Sequence, residues 1–264
     1  MQRLYRYYWS CKLSYTKRIT KHDSLRSGVK DVIDFDNYKV LTFDCYGTLI
    51  DWENGILSAI KPLLLAHETH LSDDKILELF SEFEAELEKG QYIKYREVLK
   101  RVVQKFGEQF SFNPTAEELD SLADSIRHWL PFSDTVAALK TLKQKFKLVI
   151  ISNVDDDLFA FSAKHLEVEF EQIITAEQVK SYKPSLNNFR LAFERINLPL
   201  EQILHVAASV YHDIVPAKSL GLSTVWVNRR VGQEGVGATV SAISQPDLEV
   251  PDLKTLAAFI AVAR

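Results

Sequence analysis

A carboxylate serves as a nucleophile when hydrogen-bond donors hold its charge without neutralising it, and the ester it forms must then be opened by water. Asp44 meets the local requirement. It closes the apolar run Lys39-Val40-Leu41-Thr42-Phe43, and Gly47 and Thr48 follow closely enough for a hydroxyl to fold back toward it. Ser152 and Asn153 end a second apolar run, Lys183 follows a third, and Asp213 follows a fourth. An ammonium at Lys183 would keep Asp44 ionised, Ser152 and nearby backbone amides would hold a substrate carboxylate or phosphate, and Asp213 would orient Lys183 or the hydrolytic water. Each residue also has a plainer reading: a strand-end turn for Asp44, a helix cap for Asp213, local satisfaction for Ser152, Asn153 and Thr48, and solvation for Lys183. The ordered set, delivered by successive strands, favours chemistry.

The elements that must carry these residues are legible as alternating patterns. Apolar, β-branched runs occur at Lys39–Asp44, Lys147–Asn153, Gln172–Glu177, Gln202–Ser209 and Ser223–Asn228. Helical patterns separate them: Asp134–Phe146, Pro184–Ile196 with proline at its start, a short helix closing at Leu220-Gly221, and a last helix from Asp252 into Val262. Continuous apolar strands between helices predict a parallel sheet covered on both faces, with ligands bound beyond the carboxyl ends of the strands. Between Trp52 and Pro131 there is no strand pattern. Ile76, Phe80, Phe83 and Leu87 form one helical stripe, Tyr95, Val98, Leu99, Val102, Val103 and Phe106 a second, and Leu119, Leu122, Ala123, Ile126 and Leu130 a third. The expected fold is therefore α/β, a Rossmann-like parallel core with an inserted all-helical cap. Residues 35–52 and 131–264 are assigned to the core, 53–130 to the cap and 1–34 to a basic leader.

Composition narrows the partners. The net charge of −4, from 32 bases and 36 acids, gives no reason to expect nucleic acid or a membrane surface, and the expected partner is a small molecule. No apolar run reaches the roughly 20 residues that span a bilayer. Cys11 and Cys45 cannot make a disulfide framework, so a reducing, cytoplasmic setting is expected. The leader is basic, with Arg3, Arg6, Lys12, Lys17, Arg18 and Lys21 preceding the first acid, Asp23. It reads either as a disordered leader or as a mitochondrial transit peptide. A homodimer is one assembly that the sequence leaves open.

Asp44-Cys45-Tyr46-Gly47-Thr48-Leu49, Ser152-Asn153, Lys183-Pro184 and the Asp213 segment, in that order, resemble the four motifs of the haloacid dehalogenase superfamily. The resemblance runs from about Val40 to the carboxyl terminus and places the helical cap where the insertion lies. It implies an aspartyl-ester mechanism. Phosphatases of the superfamily carry an aspartate two residues after the nucleophile as general acid and depend on Mg2+; here that residue is Tyr46. Tyrosine there resembles the L-2-haloacid dehalogenase branch, which releases halide without a metal, and a halide leaving group needs no proton. Ala207-Ala208 stands where phosphatases carry a metal-binding acid. The expected function is thus hydrolytic dehalogenation of small 2-haloacids with no cofactor. The alternatives are a Mg2+-dependent phosphatase or a degenerate binding protein of the same fold.

The resemblance has gaps. Phe189 replaces a tyrosine, the Ser-Ser-Asn run before the last aspartate is missing, and no arginine stands at the cap position that receives halide, Arg96 being the nearest candidate. Tyr46, Thr48, Asn153 and Arg96 are the expected substrate contacts, beside Asp44, Lys183, Asp213 and Ser152 as catalytic groups, although Tyr46 reads equally as a core aromatic at the cap interface. His205 and His212 read as local hydrogen-bonders and Asp155-Asp156-Asp157 as helix-start acids. Glu82, Glu84, Glu86 and Glu88 read as a solvated face. Arg229 and Arg230 read as either solvated cations or anion attractors.

Overall fold

A computed structural model describes residues 33–233 and 237–262, all but Ile33 within the unit Asp34–Arg264. The expected leader over 1–34 falls almost entirely outside these residues. The chain enters at β1 (Val40–Phe43), whose four residues are all buried. It then leaves the sheet for four helices: α1 (Trp52–Ala66), α2 (Asp73–Leu87), α3 (Tyr95–Phe110) and α4 (Ala116–Ser125). Ser72 caps α2 by accepting from the Lys75 N–H, and Thr115 and Glu118 form a reciprocal capping box on α4. The three apolar stripes bury Ile76, Phe80, Tyr95, Val98, Leu99, Val102, Val103, Phe106, Leu122, Ala123 and Ile126. Leu130 departs from its stripe. Helix α4 ends before it, and the side chain is 61% exposed.

The remaining elements build the sheet: α5 (Thr135–Leu142), β2 (Lys147–Ser152), α6 (Asp156–Leu166), β3 (Gln172–Thr175), α7 (Ala176–Val179), α8 (Leu186–Ile196), β4 (Ile203–Ala207), α9 (Val215–Ser219), β5 (Ser223–Val227), β6 (Leu248–Val250) and α10 (Leu253–Val262). All six strands are parallel, in the order β3-β2-β1-β4-β5-β6. Val40, Val149, Ile151, Ile174 and Ile203 pack with Phe189 and Ala192 of α8 and Ala217 of α9. Alternate residues Leu41, Phe43, Leu148 and Ile150 are equally buried, so the sheet is covered on both faces.

Some boundaries differ from the sequence reading. The third run ends as a strand at Thr175, whose hydroxyl accepts from the Gln178 N–H and starts α7. Helix α8 starts at Leu186 behind Ser185 and not at Pro184. Strand β6 was not expected, since three residues with one exposed give too short a pattern to read.

The order of strands reverses direction at β1, which lies between β2 and β4, and at such a point the connecting helices diverge and leave a crevice. Asp44 stands at the end of β1 and Asp213 in the π-turn Val210–Ile214 after β4, on the two sides of that crevice. Two core aspartates extend their reach by capping helices that begin elsewhere. Asp155 accepts from the N–H groups of Tyr95 (2.9 Å) and Arg96 (2.9 Å) at the start of α3, where Lys94 gives no side-chain cap. Asp134 accepts from the N–H groups of Leu253 (2.7 Å) and Lys254 (3.3 Å) at the start of α10.

Candidate active site

The turn after β1 sets Asp44. Gly47 takes φ +85°, a conformation that suits glycine, and brings Thr48 back over Asp44. The Thr48 hydroxyl donates to Asp44 Oδ2 at 2.6 Å and accepts from the Ala208 N–H at 2.8 Å. Asp44 Oδ1 accepts from Lys183 Nζ at 2.8 Å. The same ammonium donates to the Ile151 carbonyl (2.9 Å) and to Asp213 Oδ1 (2.7 Å), so all three of its donors are used. Asn153 fixes the segment that carries it: its Oδ1 accepts from the Lys183 N–H at 2.7 Å and its Nδ2 donates to the Lys183 carbonyl at 3.0 Å.

Electrostatics follow from burial. Burial pushes the Asp44 carboxyl up, while the Lys183 charge and the Thr48 hydroxyl work to keep it ionised. Burial also works against an ionised Asp213, but Lys183 and a hydrogen bond from His205 outweigh it and hold that carboxyl below its ordinary value. Burial disfavours charge on Lys183 as well, yet the carboxylates of Asp213 and Asp44 hold its pKa up at about 12. Burial pulls the neighbouring His212 down to about 4.

Asp44, Tyr46, Ser152, Asn153, Lys183 and Asp213 line one cavity of about 620 Å³ between the helical block and the strand ends. Ser152 Oγ and Asp213 Oδ2 are buried there without a hydrogen-bond partner. Thr48 acts from behind Asp44, outside the cavity lining. The Tyr46 hydroxyl pairs with Ser162 Oγ at 2.9 Å and its ring meets Trp129 edge-on, so it shapes the wall and is tied to the core.

Arg96 is a correction. Its neighbour Tyr95 turns inward and is buried, which rotates Arg96 toward solvent, where it pairs with Asp124 at 2.8 Å and Asp157 at 3.7 Å. It does not line the cavity. The solvated reading of the acidic stretch holds for the exposed Glu82 and Glu86 and fails for Glu84 and Glu88. Glu84 is 4% exposed, accepts from the Tyr95 hydroxyl at 2.6 Å, and lines the cavity with Glu88, which reaches Asn153 Nδ2 at 3.3 Å. Burial pushes Glu84 up to about 7, and burial with the Glu84 charge raises Glu88 well above the usual range. A signal for Glu84 was present in the sequence, since it continues the buried stripe of Ile76 and Phe80 at the next i+4 step. Arg229 and Arg230 line the cavity inside ion pairs, with Asp134 and Glu53 respectively.

Magnesium fits this donor set poorly. Ala208 offers no side-chain ligand, and the Lys183 ammonium fills the space between Asp44 and Asp213. Among the described residues no three His, Cys, Asp or Glu side chains are grouped to hold a metal ion.

An aspartate at a strand switch point, held by a buried lysine beneath an inserted helical cap, is the arrangement of an α/β hydrolase. The sequence model for the haloacid dehalogenase-like hydrolases matches residues 38–221, and the chain belongs to that family. It is 26% identical over 204 residues to the (S)-2-haloacid dehalogenase of Pseudomonas fluorescens, covering 74% of this chain and 87% of that one. The haloacetate dehalogenase H-2 of Moraxella sp. (strain B) is 26% identical over 231 residues, 85% of this chain and 98% of its own. The fold matches the Xanthobacter autotrophicus L-2-haloacid dehalogenase with chloropropionic acid covalently bound, with a TM-score of 0.70, 19% identity, and coverage of 85% and 98%.

Proposed function

We propose that this hydrolase dehalogenates small 2-haloacids. Asp44 attacks the halogen-bearing carbon, halide leaves with the bonding pair, and water then opens the aspartyl ester. The observation that carries this reading is the state of Asp44: a buried carboxylate held by Lys183 and Thr48, with no carboxyl at position 46 to protonate a leaving group. Halide needs no such proton, whereas an alkoxide would. The curated relatives, named as 2-haloacid and haloacetate dehalogenases, support the same reaction. Ser152, with a buried hydroxyl left over, is the group proposed to hold the substrate carboxylate.

In this reading residues 53–130 form the cap that keeps bulk water from the ester, the partner is a small molecule, and neither metal, nucleic acid nor membrane takes part. The proposed setting is cytoplasmic, with a mitochondrial one separated by cell fractionation, and a homodimer is tested by light scattering. The decisive experiment incubates the purified protein with L-2-chloropropionate in EDTA. Chloride should be released, and Asp44→Asn should lower the rate at least about a thousandfold. A panel of 2-haloacids from which the wild type releases no halide, together with Mg2+-dependent hydrolysis of a phosphate ester, would overturn the proposal.

A further inference from the structure

Asp213 is the second carboxylate on the Lys183 ammonium, and a second donor, His205, also holds it. His205 lies in β4 directly opposite Thr42 of β1 in the strand register, and both side chains are buried. Polar groups inside a doubly covered sheet are costly unless satisfied, and these two satisfy each other and one more partner. Thr42 Oγ1 lies 2.9 Å from His205 Nδ1, and His205 Nε2 lies 3.0 Å from Asp213 Oδ1. An ionised Asp213 can only accept, so Nε2 carries the hydrogen, and in the neutral ring Nδ1 then accepts from the Thr42 hydroxyl. Phe189 packs edge-on against the imidazole with centroids 5.2 Å apart at 75°, which fixes the ring from a third side.

The two donors to Asp213 are unequal in kind. Lys183 offers an ammonium on a flexible stem, which can follow a carboxylate as it turns. The imidazole N–H is directional, and its ring is held by Thr42 and Phe189. Both converge on Oδ1, while Oδ2 of this fully buried residue has no partner and Asp213 lines the cavity. A carboxylate with a purely structural task would have both oxygens satisfied.

We propose that His205, locked by Thr42, is the positioning residue for ester opening: it pins Asp213 through Oδ1 so that Oδ2 faces the hydrolytic water. The inference rests on Asp44 being the nucleophile. In the step concerned, Asp213 Oδ2 takes a proton from water as the water oxygen bonds to Asp44 Cγ. The ester C–O bond at Cγ then breaks, the departing alkoxide of the 2-hydroxy acid takes the proton back from Asp213, and the new Asp44 carboxyl loses its own proton to solvent. His205 itself gives up no proton. The titratable groups acting on Asp213 are Lys183 and Asp44 from the core, His205 of β4 and His212 on the same π-turn, and Glu84 and Glu88 share its cavity from the cap wall. Loss of the N–H bond to the charged form would raise the Asp213 carboxyl, so the acid limb of ester opening should move to higher pH.

The test mixes wild-type protein and the His205→Phe, His205→Gln and Thr42→Val variants with excess L-2-chloropropionate, quenches in acid, and follows chloride and intact mass together. His205→Phe should release a burst of chloride, accumulate the ester on Asp44, and turn over ten- to a hundredfold more slowly, a part of the roughly 10²–10⁴ that general base catalysis supplies. His205→Gln, which keeps a donor, should recover part of the rate, and Thr42→Val should fall between them. Should His205→Phe fail to fold, the near-isosteric Thr42→Val carries the test. Folded variants with no more ester than wild type and an unmoved acid limb would overturn the inference. Wild type that releases no chloride would overturn the proposed function and this inference with it.

Discussion

Glu84 shows how much a single carboxyl can alter when a helix carries it inward. In the unfolded chain its carboxyl titrates near 4.5; burial pushes it up to about 7 in the fold. A carboxyl that holds its proton more tightly when folded stabilises the fold fully below its unfolded value and loses that contribution as pH rises through the folded one. Unfolding by urea between those limits should therefore show stability falling as pH rises, by on the order of 3 kcal/mol from this group. Glu84→Gln should flatten the slope, and parallel slopes for the two proteins would contradict it. The same titration bears on function. Below about 7 the residue carries a proton and offers an O–H to the cavity; above it, the Glu84 carboxylate in the cavity wall repels an anionic substrate, so KM should rise. Thr48 presents the opposite case. Thr48→Val removes the hydroxyl from Asp44 Oδ2 and leaves the Ala208 N–H unpaired, so activity should fall about tenfold or more with little change in KM, as measured by steady-state chloride release.

At the scale of elements, the tie between Asp155 and α3 is the most exposed to test. Two N–H groups at the start of that helix have no cap of their own and depend on one core carboxylate. Asp155→Ala should cost about 1–2 kcal/mol in urea unfolding, in the range of a lost helix cap, and should raise KM by loosening the wall that Tyr95 and Glu84 form. An unchanged KM would show that α3 keeps its place without the tie. Much of this architecture was legible in the chain. Strands β1, β2, β4 and β5 announce themselves as continuous apolar runs because the sheet is covered on both sides, and Asp44, Ser152, Lys183 and Asp213 follow from their places at strand ends. Asp155 could be read only as a local helix-start acid, since nothing in a sequence says that a cap will be donated to a helix sixty residues earlier. His205 left a fainter trace, a polar residue in the middle of a buried strand, and its partner became visible only once β1 and β4 were seen side by side. Arg96 misled because one residue on a helix separates the inward side from the outward side.

For the molecule as a whole, the charge of the cavity sets a condition on its ligand. Its lining holds eight carboxyl groups against three cationic side chains, and each of the three cations is already in an ion pair. A haloacid anion must enter against this field, apart from whatever Glu84 and Glu88 lose by taking up protons. Raising ionic strength should therefore lower KM for 2-haloacids, since screening weakens repulsion, and an increase would mean that an unbalanced positive charge guides the substrate instead. Arg229 belongs to the same wall but looks outward along the chain. Its guanidinium donates to the Thr48 carbonyl at 2.9 and 3.2 Å and to Asp134 Oδ1 at 2.7 Å, and the other oxygen of Asp134 receives the start of α10. The turn that holds Asp44 is thus braced by a side chain synthesised 181 residues after Thr48. On the ribosome Asp44 emerges early and waits: Lys183, Asp213, Arg229 and Leu253 must each appear before its surroundings close. A nascent chain of this protein should stay inert until translation is almost finished, which keeps a reactive carboxylate idle while the rest of the molecule is still being made.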